Sequence, residues 1–162
     1  QYYQPREIFI VENNLTGSIS NPFVNMFGEG SRFVILGNRM GAAQQHTIRI
    51  FAMHKGYIAH NHLRGISSDG IRVALKLHSG GLGDYNDNYA ISGGTWASRQ
   101  IVIANNLLGD PADNNSFTGG AGPQNNGPNS REGVEDVILE NNRFHRGPNT
   151  NTEFILMGRR MT

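Results

Sequence analysis

A short phrase recurs along the chain and limits what it can fold into. Ile10-Val11-Glu12-Asn13-Asn14-Leu15-Thr16-Gly17 returns as Ile35-Leu36-Gly37-Asn38-Arg39-Met40-Gly41 and as Ile58-Ala59-His60-Asn61-His62-Leu63-Arg64-Gly65. Two further copies centre on Asn105 and Asn142. The asparagines are spaced 25, 23, 44 and 37 residues apart, so the third interval is nearly two steps and the fourth is one step plus an insertion. Periods of this size indicate stacked structural repeats. Three residues before each Asn stands Ile10, Ile35, Ile58, Val102 or Leu139, and two after it Leu15, Met40, Leu63, Leu107 or Phe144. Apolar residues on both sides of an Asn suit a strand entering a turn, and an Asn at the same place in each repeat can hydrogen-bond along the stack.

A second apolar run lies between the copies. Val24-Asn25-Met26-Phe27 recurs as Ile48-Arg49-Ile50-Phe51 and as Val73-Ala74-Leu75-Lys76-Leu77, at steps of 24 and 25, with Phe154-Ile155-Leu156-Met157 as the last copy. Helical leucine-rich repeats share this period. Here β-branched residues hold the periodic positions and no Leu-x-x-Leu-x-Leu signature appears, so two strands per repeat are expected.

The apolar-x-x-Asn-x-apolar pattern over residues 6 to 160 resembles the right-handed parallel β-helix of the pectin-lyase-like superfamily. The repeat spacing over 162 residues gives about six to seven coils with two long loops at one corner, and the resemblance implies that they form an all-β solenoid. It is specific for architecture rather than activity, since that fold carries lyases, glycoside hydrolases, esterases, epimerases, tailspikes and adhesins. The enzyme signatures of pectate lyases, polygalacturonases and alginate epimerases are missing, so no catalytic set transfers. Paired carboxylates for glycoside hydrolysis are also hard to place, because Asp69, Asp84, Asp87, Asp110, Glu135, Asp136, Glu140 and Glu153 fall mainly at loops and corners.

The 162 residues are read as one domain, 1–162. Because the chain starts almost at a strand and stops just after another, the expectation is a portion of a longer protein, or a stack whose open ends are covered by parent-chain segments or by another copy. Nineteen Asn and 21 Gly, about a quarter of the residues, fit repeated corners. Fourteen basic against 13 acidic residues give +1, and Arg159-Arg160 is the longest basic run, which argues against nucleic acid as partner. No apolar stretch is long enough for a membrane span. The lack of cysteine is compatible with a secreted, periplasmic or cell-surface setting, which the resemblance also implies. Asn14-Leu15-Thr16 and Asn114-Asn115-Ser116 match the glycosylation pattern, a short signal that arises readily by chance.

Connections from Phe27 to Arg32 and from Phe51 to Gly56 are short, whereas 79–98 and 119–133 are long and rich in Gly and Asn. Two long insertions at one corner of neighbouring repeats form a wall, and binding usually resides on such loops. The residue four before each repeat Asn is also apolar (Phe9, Val34, Tyr57, Ile101, Ile138) and by alternation faces outward, an apolar stripe that a partner or another part of the parent protein is expected to cover.

Alternation on the second strand puts Val73, Leu75 and Leu77 inward and Ala74, Lys76 and His78 outward. Arg49, Phe51 and Met53, and before them Asn25 and Phe27, face outward in the preceding repeats. Arg49, Lys76 and His78 therefore share a patch that Arg72, Asp69 and Trp96 border. Such a patch suits an acidic polysaccharide. Arg49 can hold a uronate carboxylate through its fork, Phe51, Trp96, Arg72 and Asn25 can bind the sugar, and Lys76 or His78 can take the proton beside the carboxylate. That is β-elimination; the bland reading is solvated charge on an outer face. The expected function is a carbohydrate-active β-helix that acts on or binds an acidic polysaccharide, as a lyase if it is an enzyme. The alternative is a non-catalytic glycan-binding or structural surface protein.

Metal sites are weaker in the sequence. His54, His60 and His62 fall within nine residues, but His60 and His62 straddle a turn and diverge, so no metal site is assigned to them. Asp84-x-Asn86-x-Asn88 matches the first half of a calcium loop, with Asp87, Asp110 and Asp113 as further oxygen donors, but Tyr89 replaces the Gly and no closing Glu follows. Ca2+ is thus an optional cofactor of the first insertion.

Overall fold

The computed structural model of the chain describes residues 6–15, 24–41, 43, 46–64, 74–78, 98–109, 134–144 and 158–161. These form two sheets in which every strand pairing is parallel. The first contains β1 (Arg6–Val11), β3 (Val24–Leu36), β5 (His46–Ala59), β7 (Leu75–His78), β8 (Arg99–Ala104), β10 (Val134–Glu140) and β12 (Gly158–Met161). The second contains β2 (Asn14–Leu15), β4 (Arg39–Met40), β6 (His62–Leu63), β9 (Leu107–Leu108) and β11 (Arg143–Phe144). The first sheet runs β1-β3-β5-β8-β10-β12, with β7 also paired to β5, and the second runs β2-β4-β6-β9-β11. No helix occurs among the described residues.

The two sheets are joined by two-residue corners: Glu12-Asn13, Gly37-Asn38, His60-Asn61, Asn105-Asn106 and Asn141-Asn142. The first residue of each has a positive φ, between 51 and 66°. A single left-handed residue turns an extended chain sharply, and the Asn that follows secures the turn. Asn13 donates its backbone N–H and its side-chain amide to Asn38 Oδ1, at 3.0 and 2.9 Å. Asn38 repeats this to Asn61 (both 2.9 Å), Asn61 to Asn106 (3.0 and 2.9 Å) and Asn106 to Asn142 (3.0 and 2.9 Å). The second amide hydrogen goes back to a strand carbonyl: Asn38 to Ile10, Asn61 to Ile35, Asn106 to Ile58 and Asn142 to Ile103, at 2.8–2.9 Å. Asn38, Asn61 and Asn106 are buried, and their amides are thereby satisfied where an unpaired one would be costly.

The ladder corrects the fourth copy by one residue. Asn106 stacks, and Asn105 is the left-handed residue before it, with φ 55°. The flanking apolar residues are consequently Ile103 and Leu108 rather than Val102 and Leu107. Ile101, expected outward, is fully buried, and Val102 takes the outward place in register with Tyr57 and Ile138. The outward stripe is therefore Phe9, Val34, Tyr57, Val102 and Ile138.

Three further expectations change. The short connections after Phe27 and Phe51 lie inside the continuous strands β3 and β5, with a bulge between Glu29 and Ser31. The turning there is done by a second column of left-handed residues in register, Glu7, Arg32, Lys55, Gln100 and Asp136, with φ from 51 to 60°. The second apolar run pairs Met26 with Ile48 and Ile48 with Leu75, steps of 22 and 27, not Val24 with Ile48 and Val73. A two-residue slip keeps each side chain on its face, so the inward assignments of Ile48, Ile50, Leu75 and Leu77 stand, all fully buried. Ala74, expected outward, is buried at a bend just before β7, where its carbonyl accepts from Ile48 N–H at 2.8 Å.

The core lies between the sheets. Ile35, Ile58 and Ile103 stack as one inward column and Met40, Leu63 and Leu108 as another, all at 1% exposure or less. Fully burying each such side chain contributes roughly 1.5–3 kcal/mol. Gly56 sits between Phe33 and Ile101 in a third inward column, and a Cβ there would fall 2.0 Å from Phe33 Cζ. Gly56 leaves the space that the Phe33 ring fills.

Candidate functional site

The strand register places two of the three residues expected to do chemistry side by side. Arg49 on β5 pairs with Lys76 on β7, and Phe51 pairs with His78. Arg49 and Lys76 are half-buried, while Ile48, Ile50, Leu75 and Leu77 beside them point into the core. Adjacent strands lie about 4.8 Å apart, so the two cations occupy neighbouring places on one outward face. His78 ends β7, two residues beyond Lys76 on the same parity. The side chains of His78, Phe51 and Asn25 lie outside the described residues, as do Arg72 and Trp96 altogether.

After His78 the pairing on β5 resumes only at His54, which is in register with Arg99 on β8. Residues 79–97, between these two pairings in sequence, lie outside the described residues. The second insertion ends at an equivalent place, because Glu135 on β10 pairs with Arg99. His54 and Arg99 thus stand at the foot of the first insertion, a few residues along β5 from Arg49. Burial, followed by the nearby cations Arg99, Lys55 and Arg6, lowers the pKa of His54 below its ordinary value of 6.5. A neutral imidazole among cations can accept a proton at neutral pH. Sequence reasoning saw His54 only as one of three closely spaced histidines. The available signal was Arg99, the first charged residue after the insertion at the start of an apolar run.

Around this pair the register columns carry both signs of charge, and Ser31 and Glu135 complete the column of His54. Arg6 and Arg99 lie in the register column of His54, while Arg32 and Lys55 lie in the adjoining left-handed column between Glu7 and Asp136. Arg32 Nη2 is 3.0 Å from Glu7 Oε1, with both side chains exposed, a geometry worth at most about 1 kcal/mol.

The three closely spaced histidines do not converge: His54 is on β5, His60 is exposed at a corner, and His62 is half-buried on β6. Among the described residues no group of three or more His, Asp or Glu could hold a metal ion. The calcium-loop residues Asp84, Asn86, Asp87, Asn88, Asp110 and Asp113 lie outside the described residues. No helix among the described residues is long and apolar enough to cross a membrane.

Comparison with family models, with curated proteins and with solved structures gives no match to this chain.

Proposed function

We propose that the chain is a right-handed parallel β-helix of the pectin-lyase-like type that binds an acidic polysaccharide on the outward face of β5, β7 and β8. The observation that carries this reading is the in-register placing of Arg49 on Lys76 and of His54 on Arg99, next to the first insertion. Arg49 and Lys76 at strand spacing, with Arg99 further along the sheet, meet a chain of carboxylates with charge-assisted hydrogen bonds, and an Arg fork does so at two oxygens at once.

The same residues supply what elimination requires. Arg49 holds the uronate carboxylate, and Lys76 or His78 takes the proton from the carbon beside it. The electron pair of that C–H bond forms a C=C bond as the bond to the leaving sugar oxygen breaks, and the leaving oxygen receives a proton from the conjugate acid of the base.

Affinity electrophoresis with polygalacturonate, its methyl ester and dextran tests the binding. The acidic polymer is expected to retard the protein and the two neutral ones to have no effect, with Arg49→Ala weakening retention about tenfold or more, in line with the loss of one charge-assisted contact. Equal retention by the neutral polymers would overturn the reading. New absorbance from unsaturated uronate, lost in Lys76→Ala or His78→Ala, separates a lyase from a protein that only binds.

A further inference from the structure

The stack ends in an open first coil. Among the described residues β1 is the end strand of the first sheet, and no strand pairs with its outer edge. Ile8 and Ile10 are only half-buried, whereas their register partners Phe33 and Ile35 are buried. Leu15 stands in the inward column of Met40, Leu63 and Leu108 yet is 46% exposed, and Phe9 in the middle of β1 is 68% exposed. Open core residues beside a free row of backbone N–H and C=O groups make a template for another strand. A strand guarded against such pairing carries inward-pointing charge, proline or a bulge. Between Ile8 and Val11, β1 has none of these. What it has is opposite charge at its two ends, Arg6 at the start and Glu12 just beyond Val11. Both are exposed, and neither has an ion-pair partner among the described residues. Six residues of extended chain put about 20 Å between them, too far for them to pair with each other.

We infer that two copies of this chain join through β1, antiparallel about a two-fold axis at Phe9, so that the first sheet runs on from one copy into the other. Centred on Phe9, this pairing sets Ile8 against the second copy's Ile10, Phe9 against the second copy's Phe9, and Arg6 against the second copy's Glu12. Inward residues meet inward residues, and the opposite charges meet twice because the contact is isologous. Centred on Ile8 the strands would set Arg6 against Ile10, and centred on Ile10 they would set Glu12 against Ile8, with the charges unmatched in both. Glu7 falls opposite the second copy's Val11, where Arg32 of its own chain already holds its carboxylate at 3.0 Å. Arg49 and Lys76 lie on β5 and β7, away from this edge, so the inference stands apart from polysaccharide binding.

Sedimentation of the full chain over a concentration series tests this, with circular dichroism to show that each variant folds. The wild type is expected to give a reversible equilibrium between monomer and dimer, with nothing larger. Arg6→Glu and Glu12→Arg each set like charges together at both contacts and are expected to weaken association about tenfold or more. Mixing the two single variants restores both opposite-charge contacts, so heterodimers of near wild-type affinity are expected, and the same holds for the double variant R6E/E12R. Phe9→Ser and Phe9→Cys, which remove the contact on the axis, are expected to weaken association about tenfold. Monomers at every concentration would overturn the inference, as would dimers that the charge reversals leave unchanged or a mixture that fails to form heterodimers. Oligomers that keep growing with concentration would show a head-to-tail contact between opposite ends of the stack and would overturn the two-fold pairing.

Discussion

The side chain that defines this molecule is the asparagine after each left-handed corner. Asn61 takes two hydrogen bonds at Oδ1 and gives two from Nδ2, all inside the protein. Asn61→Ala leaves the buried backbone N–H of Asn38 without its acceptor, and at roughly 1–3 kcal/mol for a buried orphan the expected loss is about 2 kcal/mol. Asn13→Ala, on the exposed first level, is expected to cost less than about 1 kcal/mol. Urea unfolding of the two variants checks this, and equal losses would contradict it. The adjacent doublet gives a second comparison: Asn106→Ala should cost clearly more than Asn105→Ala, since only Asn106 sits in the ladder. Sequence alone could not decide between those two. Both are Asn, and Val102, Ile103, Leu107 and Leu108 offer apolar flanks to either choice. At the same scale, His54 is protonated in the unfolded chain at a higher pH than in the folded one, because its folded pKa is lowered. Its contribution to stability is therefore complete above about 6.5 and is lost as pH falls through the folded value. Unfolding free energy measured across that window should fall more steeply in the wild type than in His54→Gln.

Among the elements, the long strands behave as two short ones joined at a left-handed residue. The apolar alternation within each half was legible, because a period of two survives even a two-residue error in register, as Met26, Ile48 and Leu75 show. The bend itself was not legible. Glu7, Arg32, Lys55, Gln100 and Asp136 share neither size nor charge, and none is a residue type that favours a positive φ strongly enough to be noticed. Gly56 gives the clearest element-scale prediction. A methyl there meets the ring of Phe33, which is 1% exposed and has little room to withdraw. Gly56→Ala is expected to destabilise by about 1–3 kcal/mol, and Phe33→Leu in the same chain to recover part of that loss. Thermal or urea midpoints of the single and double variants decide it: no loss in Gly56→Ala would mean that the column does not pack as described.

For the molecule as a whole, the parallel stacking determines which charges meet. Arg49 and Lys76 are 27 residues apart in sequence and adjacent in space; alternation placed them on one face, whereas the 25-residue step would have set Arg49 beside Ala74. His54 and Arg99, 45 residues apart, were not foreseen, since the intervening insertion hides the repeat that would align them. Both pairs depend on the strands running the same way at a constant step. Phe9 and Ile138 lie 129 residues apart in sequence but four register steps apart in the stack. Both are exposed, and the chain has no cysteine of its own. Spin labels on Phe9→Cys and Ile138→Cys therefore report the stack directly by pulsed dipolar spectroscopy. Four steps correspond to about 19 Å between backbones, so a narrow distribution centred within roughly 15–30 Å is predicted once label length is included. A broad distribution, or one centred well beyond that range, would contradict the stacking and the cation pairs that follow from it.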